Sequence, residues 1–115
     1  MPFLKLTTNI AITKEQSPKL LSRFSHLLAE ETGKPERYVM VQLEDSKDML
    51  FGGNGEPLAF VECKNIGLSS QQAKSLSAAI SQLLAKELQL SADRVYIEFN
   101  NCPGNLWGWN GSTFG

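Results

Sequence analysis

Histidine and cysteine are scarce in this chain, with one His and two Cys, and that scarcity removes whole classes of chemistry. Cys63 and Cys102 stand too far apart to form a redox Cys-x-x-Cys pair or half of a zinc cage. Both are expected to be reduced, ordinary thiols, and no metal or organic cofactor is expected. Charge of one sign is also missing. Eleven Lys and Arg balance twelve Asp and Glu for a net charge of −1, with no block of like charge, which disfavours nucleic acid and anionic membranes as partners. No apolar run approaches the ~20 residues a membrane span needs. The N-terminus shows no basic segment leading into an apolar stretch and a cleavage site, so the expected location is the cytoplasm.

What is present is enough for one domain over residues 1–115 with a real core. Its first strand opens at Pro2 and runs through Phe3-Leu4-Lys5-Leu6-Thr7-Thr8. Proline is tolerated at the first position of a strand, where its missing N–H costs nothing. It is also small enough to permit removal of Met1, which would leave a free secondary amine able to act as a base.

After a turn over residues 9–13, Thr13 and Ser17 are alternative N-caps for a helix. Pro18 suits its first turn, and Leu20, Leu21, Phe24, Leu27 and Leu28 form its apolar stripe. Gly33 and Pro35 end it. His26 lies off the stripe and is expected on the solvated surface. Tyr38 to Leu43 has strand composition. Gly52-Gly53-Asn54-Gly55 predicts a turn rather than a phosphate loop, since no Lys-Ser/Thr follows. Leu58 to Cys63 is a third strand. Ser69 with Gln72 forms a capping box for a second helix striped by Leu76, Ile80, Leu83, Leu84 and Leu88, and Val95 to Phe99 is a fourth strand.

The order is βαβ, then βαβ, and the halves match in sequence. Asn9-Ile10 answers Asn65-Ile66, Leu27-Leu28-Ala29-Glu30-Glu31 answers Leu83-Leu84-Ala85-Lys86-Glu87, and Arg37 answers Arg94. Right-handed crossovers in both units predict an α+β fold, a four-stranded mixed sheet with two helices on one face. Leu4, Leu6, Met40, Phe60, Val61 and Ile97 look like more apolar strand surface than two helices cover, which predicts oligomerisation over the bare face. The tail with Trp107, Trp109 and Phe114 is expected to dock on a neighbouring chain. A ferredoxin-like dimeric binding module is also compatible with the duplication alone.

Seven motifs in order carry a more specific resemblance. They are Pro2 opening the first strand, Gly33-Lys34-Pro35, Phe51-Gly52-Gly53, Glu56-Pro57, Asn65-Ile66-Gly67, Asp93-Arg94-Val95-Tyr96-Ile97, and Gly108-Trp109-Asn110 with Ser112-Thr113-Phe114. Together they resemble the macrophage migration inhibitory factor family of the tautomerase superfamily. The resemblance implies a homotrimer with active sites at subunit boundaries and a keto–enol tautomerase of small aromatic α-keto acids such as phenylpyruvate. By the same resemblance Pro2 is the catalytic base, Lys34 binds the substrate carboxylate, and the backbone N–H of Ile66 is a second donor to it. Tyr96 reaches in from an adjacent subunit, and Tyr38, Trp109 and Phe114 surround the pocket mouth. The alternative implied by the family is a cytokine-like, protein-binding signalling factor whose pocket is incidental.

The chemistry stands independently of the name. Shifting a proton between carbon and oxygen beside an α-keto carboxylate needs a base poised near working pH, a cation and an apolar slot. A free α-amino group has a reference pKa of roughly 7.7–8.0, and burial or a nearby cation lowers it by disfavouring the charged form.

Three departures from the family pattern stand out. Glu98 occupies the place of a ligand-binding asparagine, exchanging a donor for an acceptor. Trp107 replaces a smaller aliphatic residue near the pocket, while Lys64 offers a second cation at its entrance. Leu58-Ala59-Phe60-Val61 stands where vertebrate members carry Cys-x-x-Cys, which excludes a thiol oxidoreductase there.

Overall fold

In the computed structural model, which describes residues 2–115, four strands and two helices form a single layer pair. Met1, and with it the expected removal of that residue, lies outside the described residues. The chain runs β1 (Phe3–Thr8), α1 (Gln16–Thr32), β2 (Met40–Glu44), β3 (Ala59–Asn65), α2 (Ser70–Leu88) and β4 (Val95–Asn101). A hairpin of β5 (Gly108–Trp109) and β6 (Ser112–Thr113) follows. The sheet order is β2-β1-β3-β4. β1 is parallel to β2, β3 is parallel to β4, and the two central strands β1 and β3 are antiparallel. That is two βαβ units placed back to back, as the duplication predicts.

Local chemistry sets the helix ends. Thr13 and Gln16 bond reciprocally, Gln16 N to Thr13 Oγ1 at 3.1 Å and Thr13 N to Gln16 Oε1 at 3.0 Å, so the chain turns into α1 at Thr13 and Ser17 lies inside the helix. Gly33 ends it in the left-handed region at φ 70°, its N–H donating to Ala29 O. Ser69 and Gln72 make the predicted capping box on α2. Several expected boundaries shift. Tyr38 belongs to a 3-10 turn over Glu36–Tyr38, because its N–H donates to Pro35 O, and β2 begins only at Met40. β3 and β4 each extend two residues beyond expectation, to Asn65 and Asn101.

Alternation along the strands sorts residues between two faces. Leu4, Leu6, Val61 and Cys63 are fully buried with Leu20, Phe24 and Leu28 of α1 and Leu76, Ile80 and Leu84 of α2. Ile97 packs against the same core. This corrects the expected apolar surplus: of the six strand residues counted in it, Leu4, Leu6, Val61 and Ile97 are under the helices, and only Met40 and Phe60 face away. The uncovered face is largely polar. Across its middle run Gln42, Lys5, Glu62 and Glu98 in register, and Lys5 pairs with Glu44 at 3.9 Å.

The tail makes a hairpin of its own. Asn110 and Gly111 both have positive φ, 52° and 79°, which is what a tight two-residue hairpin turn requires. That turn folds Trp109 and Phe114 back onto Tyr38 of the same chain.

Candidate active site

Because β1 is a central strand, its first residue lies in the middle of the sheet's end. The Pro2 side chain is fully buried on the helix side, and its carbonyl accepts from Met40 N at 3.0 Å. Two cavities meet there, and Pro2 is the one described residue that borders both.

The smaller, about 10 Å³, is lined by Lys34 from the corner after α1, by Asn65, Ile66, Gly67 and Leu68 from the end of β3, and by Thr32 and Gln72. Both corners are braced. Thr32 Oγ1 donates to Leu28 O at 2.6 Å and accepts from Lys34 N at 3.3 Å. Asn101 Oδ1 accepts from the N–H groups of Gly67 and Leu68 at 2.8 and 3.1 Å, and its Nδ2 donates to Leu68 O. The positive φ of Gly67, 73°, makes that corner possible.

The larger cavity, about 410 Å³, opens on the other side of Pro2. Its wall is aromatic. The Tyr38 ring meets Trp109 and Phe114 edge-on at 5.3 and 5.8 Å, and Trp109 and Phe114 stack at 5.7 Å. Trp107 completes the wall, and Arg37 and Lys64 line the same space. The Arg37 guanidinium carbon lies 4.8 Å from the Tyr38 ring centroid, within reach of a cation–π contact.

Pro2, Lys34, Ile66, Tyr38, Trp107, Trp109 and Phe114 are therefore brought together in one chain. Tyr96 and Glu98 are not. Tyr96 pairs with Phe60, which pairs with Thr7 at the far end of β1 from Pro2. It is 65% exposed and borders a separate hollow of about 420 Å³ with Met49, Leu50, Phe51 and Phe60. Glu98 lies opposite Glu62 on the open face, its Oε1 accepting from Asn100 Nδ2 at 3.4 Å. His26 sits on the exposed surface beside Glu36.

Two residues bordering Pro2 were assigned no role from the sequence. Arg37 precedes Tyr38 in a 3-10 turn, where adjacent residues reach the same cavity; a strand at that point would have sent them to opposite faces. Asn65 follows from the register: Phe3 pairs with Lys64, so continuing the antiparallel ladder by one step sets Asn65 opposite Pro2. Asn65 is buried, its Nδ2 donates to Cys63 O at 3.1 Å, and its Oδ1 has no partner among the described residues. Burial pushes the neighbouring Cys63 thiol up, with the Asn65 side chain pulling the other way. Among the described residues no group of three or more His, Cys, Asp or Glu is placed to hold a metal, and no helix is long and apolar enough to cross a membrane.

The arrangement offers a buried proline at a junction, a cation and polar backbone on one side, and an aromatic slot on the other. Known proteins match this chain over its whole length. The family model described as "Macrophage migration inhibitory factor (MIF)" matches residues 1–115. The macrophage migration inhibitory factor of Xenopus tropicalis is 38% identical over 117 residues, covering 99% of each chain. The Brugia malayi homologue is 35% identical over 116 residues, covering all of both. Among solved structures, the homologue from Prochlorococcus marinus superimposes with a TM-score of 0.93 at 39% identity, covering 98% of this chain and 99% of that one. The Trichinella spiralis protein gives 0.88 at 33% identity, covering 97% and 99%.

Proposed function

Because the chain belongs to the macrophage migration inhibitory factor family, a branch of the tautomerase superfamily, we propose that it interconverts the keto and enol forms of phenylpyruvate-like α-keto acids. The base is the secondary amine of Pro2, exposed by removal of Met1. The observation that carries this reading is that Pro2 alone among the described residues borders both cavities. A substrate whose carboxylate meets Lys34 and the Ile66 corner, and whose ring enters the aromatic slot, must lay its reacting carbon across Pro2.

The amine is suited to the task. It sits on a buried ring, and the charged side chains of its own chain around it are Lys34 after α1, Arg37 in the 3-10 turn and Lys64 on β3, with no carboxylate among the described residues lining either cavity. Burial and three cations all disfavour the ammonium form. The neutral amine takes the proton from the methylene carbon next to the ketone. The resulting enolate is reprotonated on oxygen, and the cations offset its charge meanwhile.

The site is completed in a homotrimer, with Tyr96 and Glu98 supplied by an adjacent subunit, since neither reaches Pro2 of its own chain. The test is an ultraviolet assay of phenylpyruvate tautomerisation on protein whose N-terminus is checked by intact mass, beside Pro2→Ala. Turnover by the Met1-free form that falls at least about a hundredfold in the variant is the expected result for loss of a general base. Absence of turnover in the processed wild type would overturn the enzyme reading.

A further inference from the structure

The charge around Pro2 exceeds what one carboxylate can use. Among the described residues, every charged side chain lining the two cavities is a cation: Lys34 on one side, Arg37 and Lys64 on the other. None of the three forms an ion pair among the described residues. Elsewhere Lys5 pairs with Glu44 and Arg23 with Glu87, and Arg94 holds four backbone carbonyls; other lysines are also unpaired among the described residues, but only these three converge on one cleft. Unpaired cations around a low-dielectric cleft focus a positive potential into it. If the substrate's keto acid end occupies Lys34, Arg37 and Lys64 remain unanswered in the larger cavity. Arg37 rests against the Tyr38 ring, a contact that leaves its edge N–H groups free for a bidentate anion. A space of about 410 Å³ falls in the range of sites for whole small ligands, more than an unsubstituted benzyl group fills.

We propose that the cleft is built for a dianion, an aromatic α-keto acid bearing a second carboxylate at the ring end remote from the keto group, received by Arg37 and Lys64. This rests on the tautomerase reading above. A Glu98 carboxylate contributed by another subunit answers one of the three cations and leaves the cleft still positive.

The experiment compares kcat/KM for phenylpyruvate and for its para-carboxy derivative, at low and high ionic strength, in the wild type, Arg37→Gln and Lys64→Gln. Both positions are exposed, so folding is expected to survive, and a thermal melt of each variant checks it. The expected result is about a tenfold preference for the dianion at low salt, carried by KM, as a charge-assisted contact supplies. The preference shrinks with salt and moves toward unity in each variant. A wild-type ratio of one or less, or a ratio unchanged in both variants, overturns the proposal while turnover of phenylpyruvate leaves the tautomerase reading standing. If neither compound is turned over, that reading fails, and quenching of tryptophan fluorescence decides the proposal. Trp107 and Trp109 are the only tryptophans, and both line the cleft. Tighter quenching by the dianion that is lost in the variants supports it, and equal affinities overturn it.

Discussion

At Pro2 the decisive quantity is protonation. An α-amine in water titrates near 7.7–8.0; with its ring buried and three cations against one Glu98 carboxylate from the proposed neighbour, its ammonium form is disfavoured. On the proposal that this amine is the base, active when neutral, kcat/KM should fall on the acid side with a midpoint below that reference. Replacing Lys34 by Gln should move the midpoint up as well as raising KM. A limb at or above the reference value would mean that the cations do not act on the amine. Asp45 titrates for a different reason. Its Oδ2 accepts from Ile12 N at 2.8 Å, and that bond foremost holds its pKa below 3.8. A carboxyl depressed in the folded state stabilises above its unfolded pKa, and the contribution is lost as pH falls through the folded value. The melting temperature of Asp45→Ala should therefore lie below wild type at neutral pH, with the gap closing below about pH 4.

Between residue and whole chain, the elements differ in how they are held. α2 carries a complete capping box, and Ser69→Ala should cost about 1 kcal/mol in chemical denaturation. The loop over residues 51–57 has little regular structure, and Arg94 holds it. Its guanidinium donates to the carbonyls of Phe51, Asn54, Glu56 and Pro57 at 2.7 to 3.3 Å. Much of the fold at this scale was legible. The stripe of Leu20, Phe24 and Leu28, the Ser69-Gln72 box and the repeat between halves each carry a period or a spacing that local physics enforces. The side of the sheet on which each strand residue falls was not, because a period of two separates faces without saying which face the helices take. Leu4 and Val61 enter the expected surplus although both lie under the helices. The β5–β6 hairpin escaped for another reason. Its strands are two residues each, too short for any period, although Asn110-Gly111 is the turn dipeptide that marks it. Within the site, Lys34 and the aromatic wall came from ordered motifs, whereas Asn65 depended on strand register, a long-range property.

For the whole molecule, the question is what closes the site. The uncovered sheet face is polar, so it supplies no general apolar drive to associate. The exposed apolar surface lies instead at the rims: Met40 at 64% on edge strand β2, and Tyr96 at 65% beside Leu50 at 72% along edge strand β4. These are different surfaces at opposite edges of the sheet, and joining one to the other on the next copy is a heterologous contact, which closes into a ring or runs on as a filament. Closure at three copies would give about three times 12.7 kDa by light scattering in solution, and a monomer would refute the assembly. It would also bring Tyr96 of one copy toward Pro2 of the next, which a single chain keeps apart. Tyr96→Ala should then do two separable things. Loss of a well-packed interface aromatic costs on the order of 2 kcal/mol or more, so dissociation should appear at micromolar protein. At concentrations high enough to restore the assembly, turnover should stay reduced. If activity returns fully with assembly, Tyr96 serves only the interface. If mass and turnover are both unaffected, the contact is not part of the assembly.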